Sequence, residues 1–181
     1  MEQQNPIIDA QKDFEQVLTY SLDNGLNLGV ISVDLQEEFL KNVEGGECRE
    51  SYLVDYHREI LKLSESNRVP SFVYSYDSCR YGKNLLVDKP YIKSRNSCFY
   101  GTDLEDRINH INSDLLFTIG IFAESCVFET LIDSKIIFSQ MKVCTSLNGV
   151  ERRKLMPHMM YQICQEKVID DLERICEFVL K

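Results

Sequence analysis

The sequence predicts a three-layer α/β/α fold, a doubly wound and mainly parallel sheet with helices on both faces. Short runs that are nearly all apolar alternate along the chain with segments of helical periodicity. Strands that are apolar at every position are buried on both sides, which in practice means parallel strands under crossover helices. Such crossovers are right-handed, so the helices divide between the two faces. Size agrees: 181 residues, 44% hydrophobic and 27% charged, suit one domain with an ordinary core. Residues 1–181 are therefore expected to form a single domain, with 1–25 as a leading helix and turn.

The elements are expected in this order. Asp9 to Leu22 places Phe14, Val17, Leu18 and Leu22 at helical spacing. After the turn-prone Asn24-Gly25 comes LGVISV, Leu28 to Val33, a buried strand. Cys48 to Leu63 is helical through Leu53, Tyr56, Ile60 and Leu63, and Pro70 to Tyr76 is a second strand of aromatic and β-branched residues. A polar region, Asp77 to Tyr100, precedes a short helix, Asp103 to Ile111. Leu115 to Ile121 is a third buried strand, Ser125 to Ser139 a helix, and Met141 to Leu147 a fourth strand. Met159 to Cys164 is expected as a fifth, and Val168 to Leu180 as a closing amphipathic helix.

Composition excludes several roles. A net charge of −9 argues against nucleic acid or an anionic membrane surface as partner, since both need clustered Lys and Arg. No run is long and apolar enough to span a bilayer, and Met1 to Lys12 lacks the order of a secretory signal. Seven cysteines without a Cys-x-x-Cys pair read as reduced thiols in a cytoplasmic setting. His57, His110 and His158 lie far apart with no metal-ligand spacing, so no metal and no cofactor is expected.

Open parallel sheets bind ligands at the carboxyl ends of their strands. Three places qualify: Asp34, Asp77, and the turn from Gly120 to Cys126. Asp34, in VDLQEEF, is either a working carboxylate or the cap of a following helix. Cys126 stands one turn into a helix, where the macrodipole and exposed N–H groups favour the thiolate and can hold an oxyanion. A plain buried thiol is the competing role. Cys98, in a loop, is the next candidate. Lys93 taken alone reads as a surface lysine.

Three segments then match a pattern together. ISVDLQEEF (Ile31 to Phe39), KSRNSCFYGTDL (Lys93 to Leu104) and GIFAESCVFET (Gly120 to Thr130) resemble, in order, three motifs of the isochorismatase-like superfamily of cysteine hydrolases. That superfamily includes nicotinamidases and N-carbamoylsarcosine amidohydrolases, and its domain is a Rossmann-like three-layer fold. The resemblance runs from about Leu26 to the C-terminal helix. It implies that Cys126 is the nucleophile, that Asp34 takes the thiol proton and later activates water, and that Lys93 favours the thiolate. It implies an oxyanion hole from the backbone N–H groups of Ala123 and Cys126, with a cis peptide at Phe122-Ala123. Gln36 falls in the first motif and Phe99 in the second. Gln36, Phe39, Asp77, Phe99 and Phe122 are the candidate pocket residues. For Asp77 a turn role competes, and for Phe39 and Phe122 a core role.

Departures narrow the expectation. The region after the second strand, YSYDSCRYGKN, has no histidine, which disfavours metal-dependent nicotinamide hydrolysis. The presence of Cys126 points to amide-type rather than vinyl-ether chemistry. Asn148 to His158 is shorter than the family's usual segment, and Asp77 to Pro90 lacks its Pro-rich approach to the lysine. The expected activity is hydrolysis of a C–N bond in a small amide or carbamoyl-type substrate through a thioester. The alternatives are a catalytically silent, protein-binding member of the fold and a vinyl-ether hydrolase acting on isochorismate. Homo-oligomers are common in the family and are expected here.

Overall fold

The computed structural model describes residues 4–41, 43, 46–151 and 169–181. Its elements are α1 (Pro6–Asp23), β1 (Leu28–Val33), α2 (Glu37–Leu40), α3 (Gly46–Ser66), β2 (Ser71–Ser75), α4 (Ser78–Tyr81), β3 (Tyr91–Ile92), α5 (Leu104–Ile111), β4 (Leu115–Phe122), α6 (Phe128–Ile137), β5 (Lys142–Ser146), β6 (Val150–Glu151) and β7 (Phe178–Leu180). A further helix, α7, covers 169–175.

The strands form one sheet in the order β3-β2-β1-β4-β5-β7, with β6 joining the upper end of β4. Every pairing between strands is parallel. The order runs outward one way from β1 and the other way from β4, so the switch point lies between those two central strands. Both are buried along their whole length, as their nearly all-apolar sequences require. On one face, Phe14 and Val17 of α1 and Tyr56 and Ile60 of α3 pack on Val30, Phe117 and Ile119. On the other, Leu104 and Ile108 of α5, Leu131 of α6 and Leu172 of α7 pack on Ile31, Val33, Leu116 and Val143. Alternate side chains of a strand point to opposite faces, so one short run feeds two cores.

The lower edge of the sheet, where helices turn into strands, is built by local turn chemistry. Gly25, Arg68 and Asn112 all take positive φ there, ending α1, α3 and α5 with a left-handed residue.

The C-terminal expectation needs correction. Val168 to Leu180 is not one helix: helix covers 169–175, and Phe178–Leu180 is a strand paired with β5 through Cys144↔Phe178 and Ser146↔Leu180. Phe-Val-Leu is β-favouring, and the open side of β5 offers a hydrogen-bond ladder that an isolated last helical turn cannot match. The expected helix from Ser125 to Ser139 is instead a π-helical turn, Ala123–Val127, leading into α6. The strand expected at Met159 to Cys164 lies outside the described residues.

Candidate active site

The switch point brings together three side chains from three strand ends. Asp34 follows β1, Lys93 follows β3, and Cys126 lies in the π turn after β4. The register Val33↔Gly120 sets the first against the third, and the Lys93 N–H donates to Ser75 O (2.9 Å), which carries the β2–β3 pairing up to the lysine. Asp34 has φ of 59°, the one left-handed non-glycine residue at the upper edge among the described residues. That conformation costs free energy for a residue with a Cβ, and Asp is among the few that tolerate it. Strain of this kind concentrates at functional sites. Gly120 allows the turn to close in: a Cβ there would sit 2.7 Å from Val127 Cγ2 and 2.8 Å from Val33 O.

All three side chains are buried, with Asp34 at 0% and Lys93 and Cys126 at 2% exposure. Lys93 Nζ lies 2.8 Å from Asp34 Oδ2. It also donates to Arg95 O (2.9 Å) and Asn96 O (2.8 Å) and faces the Tyr76 ring at 3.8 Å. Its three protons are thus committed inside the protein. Asp34 meets Lys93 as an ion pair, and the Cys126 thiol and the Tyr76 backbone are its further hydrogen-bonding partners. Burial raises its pKa above the ordinary 3.8, and the lysine opposes that rise.

The thiol differs from expectation. The helix terminus was expected to favour the thiolate, but burial and then the neighbouring Asp34 carboxylate push Cys126 up to about 12, with Lys93 pulling the other way. Desolvation outweighs the partial charge of one short turn, so the resting group is the thiol. Asp34 and Cys126 between them hold one negative charge, balanced by one lysine. Passing a proton from sulfur to carboxylate leaves that total unchanged, so the exchange avoids the cost of creating net charge in a buried site.

The expected cis bond is absent. Phe122-Ala123 is trans, as are all peptide bonds among the described residues. A non-proline cis bond costs about 3 kcal/mol, and the wide π turn already opens the start of this helix without it.

The candidate pocket residues divide. Phe39 stacks on Tyr81 (centroids 5.0 Å) and meets Phe122 (5.5 Å) and Tyr76 (5.9 Å) edge-on, forming an aromatic wall beside Lys93. Gln36 is a clamp rather than a free polar group. Its Nε2 donates to Tyr76 O (3.1 Å) and Gly82 O (2.9 Å), and its Oε1 accepts from Tyr76 N (2.9 Å). Asp77 caps α4 by accepting from Cys79 N, the turn role. Phe99 packs on Phe138 at the far end of α6, a core role. A cleft of about 470 Å³ opens against Gln36 and Tyr76. A larger groove of about 830 Å³ runs between α1 and β7, and none of the site side chains lines it.

The sequence reading missed Tyr76 and Asn96. The Tyr76 hydroxyl donates to Asn96 Oδ1 (2.8 Å), and that oxygen lies 3.9 Å from Cys126 Sγ. The available signal was position, since Tyr76 ends the second strand and Asn96 stands three residues past Lys93. Among the described residues, no three His, Cys, Asp or Glu side chains gather as metal ligands do. His57 is committed elsewhere, between Ser32 Oγ and Gly149 O, each at 2.9 Å.

No family model matches the sequence, and no curated protein is significantly similar to it. Solved structures are similar in shape. An N-carbamoylsarcosine amidase from Thermoplasma acidophilum superposes with a TM-score of 0.63 at 17% identity, over 86% of this chain and 96% of that one. An isochorismatase family protein from Desulfovibrio vulgaris gives 0.64 at 14%, over 86% and 94%. The chain has the isochorismatase-like fold. A ribonuclease from Caenorhabditis elegans also superposes, with a TM-score of 0.66 at 18% identity over 86% of this chain and 77% of that one. The isochorismatase-like fold therefore hosts more than one chemistry, and the choice between them falls to the residues at its switch point. No helix among the described residues is long and apolar enough to cross a membrane.

Proposed function

We propose that the chain is a cysteine hydrolase that cleaves a C–N bond of a small amide or carbamoyl-type substrate, with Cys126 as nucleophile. The observation that carries this is the buried Lys93–Asp34 pair, 2.8 Å apart, set against the Cys126 thiol with which the Asp34 carboxylate interacts. A structural ion pair gains little from such burial, whereas a proton acceptor for a thiol needs it.

Asp34 takes the Cys126 proton, and Lys93 holds the single negative charge in place while it moves to sulfur. The thiolate attacks the carbonyl carbon and forms a tetrahedral oxyanion. The N–H groups of Ala123 and Cys126, at the open start of the turn, are the donors for that oxygen. As the intermediate collapses, the nitrogen leaves with the proton from Asp34, and a thioester remains. Asp34, again a carboxylate, deprotonates water for attack on the thioester, and the proton returns to sulfur as the acid leaves. The aromatic wall of Phe39, Tyr76, Tyr81 and Phe122 suits a planar substrate. The ionic groups at its edge are already paired with each other.

A panel of small amides, ureido compounds and carbamoyl compounds tests the reading. Cys126→Ala is expected to lower turnover by a factor on the order of 10³ or more. Rapid quenching should leave an acyl mass on the Cys126 peptide of the native enzyme. Unchanged hydrolysis of every accepted substrate by Cys126→Ala would end the proposal.

A further inference from the structure

We propose that Tyr76 and Asn96, anchored by Glu129, form a hydrogen-bond chain that positions the Cys126 thiol and donates to its thiolate after the proton leaves. This rests on Cys126 being the nucleophile, and it adds residues that none of the three sequence motifs assigns to the chemistry.

The orientation of the Asn96 amide is fixed by its outer neighbour. Glu129 Oε1 lies 2.7 Å from Asn96 Nδ2, and a carboxylate can only accept, so the amide nitrogen must face it. The amide oxygen then points inward. There it accepts the Tyr76 hydroxyl at 2.8 Å and lies 3.9 Å from Cys126 Sγ. A resting thiol finds in that oxygen an acceptor for its S–H. The Asn96 backbone is pinned as well, because its carbonyl accepts from Lys93 Nζ at 2.8 Å.

Tyr76 is held at both ends. Its main chain is bonded on both sides by the Gln36 amide, and its ring lies 3.8 Å from Lys93 Nζ. The O–H alone can rotate. With sulfur protonated, the hydroxyl serves Asn96 Oδ1. Once Asp34 has taken the proton, sulfur becomes the strongest acceptor nearby, and the hydroxyl, which already interacts with Cys126, can turn to it. Its proton stays on oxygen throughout, because burial and the charges of Cys126 and Asp34 hold the phenol far above its ordinary range. The other ionisable groups acting on the sulfur are Asp34, Lys93 and Cys98, while Glu124 and Glu129 lie on its own turn and helix. Of the two donors to Asn96 Oδ1, the Tyr76 hydroxyl and the Cys126 thiol, the hydroxyl is the one that stays neutral while the sulfur is charged.

The test is the pH profile of Cys126 alkylation by iodoacetamide in the full-length chain, followed on the Cys126 peptide by mass spectrometry. A hydrogen bond to a charged group is worth about tenfold in such an equilibrium. Tyr76→Phe keeps the ring over Lys93 and should lower the rate about tenfold, with the midpoint displaced to higher pH. Asn96→Ala removes the acceptor that favours the resting thiol, so its midpoint should move to lower pH, and Tyr76→Phe should still raise the midpoint in that background because the hydroxyl acts on the thiolate itself. Glu129→Ala lets the amide turn its nitrogen toward the sulfur and should likewise displace the midpoint to lower pH, and Glu129→Gln should reverse most of that shift because its amide oxygen still accepts from Asn96. Asp34→Asn separates the two levels of the argument. If Asp34→Asn alters the profile while Tyr76→Phe and Asn96→Ala overlay the native curve, the chain plays no such part and the proposal is overturned. If Asp34→Asn leaves the profile unmoved as well, the assignment of the nucleophile falls with it.

Discussion

Replacing Lys93 by methionine tests the charge balance on which the site depends. The variant keeps the length of the side chain and removes the charge, the 2.8 Å contact with Asp34, and two hydrogen bonds to carbonyls. Removing one partner of a buried pair typically costs about 3–5 kcal/mol. A second route gives a similar ceiling. Without the lysine, Asp34 is driven to take up a proton, at about 1.36 kcal/mol for each pH unit above its ordinary 3.8, or about 4 kcal/mol near pH 7. The sign follows from linkage. The folded pKa of Asp34 is raised in the native protein and rises further in the variant, so the stability at stake is present at low pH and lost as pH increases. Urea unfolding should therefore show a deficit of about 3–4 kcal/mol near pH 7 that shrinks by up to about 1.4 kcal/mol per unit as pH falls toward the native Asp34 value. The lost carbonyl bonds leave a residual deficit of about 1–2 kcal/mol that does not change with pH. A deficit that is pH-independent and below about 1 kcal/mol would refute the view that Lys93 compensates a buried carboxylate.

Two further outcomes are expected. Burial lowers the His57 pKa from 6.5 to about 4, so its contribution to stability is intact above 6.5 and drains away as pH falls toward 4, by about 3 kcal/mol in all. His57→Leu should lose that acid sensitivity in unfolding experiments, and equal acid slopes for variant and native protein would rule the assignment out. Gln36→Leu strips partners from Tyr76 N, Tyr76 O and Gly82 O, and should destabilise by about 2–4 kcal/mol while also slowing Cys126 alkylation through a loosened Tyr76. A thermal midpoint within error of the native one would show that Gln36 is no clamp.

Much of this architecture was legible in the sequence, for physical reasons. Leu28 to Val33 and Leu115 to Phe122 are apolar but for Ser32 and Thr118, and such a run has few places to go except the middle of a parallel sheet. Asp34, Lys93 and Cys126 were legible as a set because three motifs fell in order. Their mutual placement was not, since it depends on a register made across the whole sheet. What stayed hidden is what tertiary contact decides. Phe178–Leu180 follows a helical stretch, and it becomes a strand because β5 has an open side. The thiol of Cys126 was expected to ionise on the strength of its helix terminus, and burial, which no local pattern reports, reversed the sign. Gln36 was legible as a motif and candidate pocket residue but not as a clamp, and Asn96 is an unremarkable letter in a polar segment; their roles come from partners 40 and 33 residues away. Asp77 and Phe99 illustrate the reverse, since the pattern offered both as pocket residues and each is occupied with the framework.

The left-handed residues on the lower edge have a practical consequence. Gly25, Arg68 and Asn112 end their helices through contacts made within a few residues, and the reacting groups stand at the opposite ends of the strands that follow. The spacing between Asp34 and Cys126 is carried upward by the ladder from Leu28↔Leu115 to Val33↔Gly120 and not by the length of those lower turns. The molecule is thus a chassis with a working rim and a service rim. Peptide tags, reporter insertions or new chain termini belong on the service rim, where they can be added without retuning the chemistry opposite.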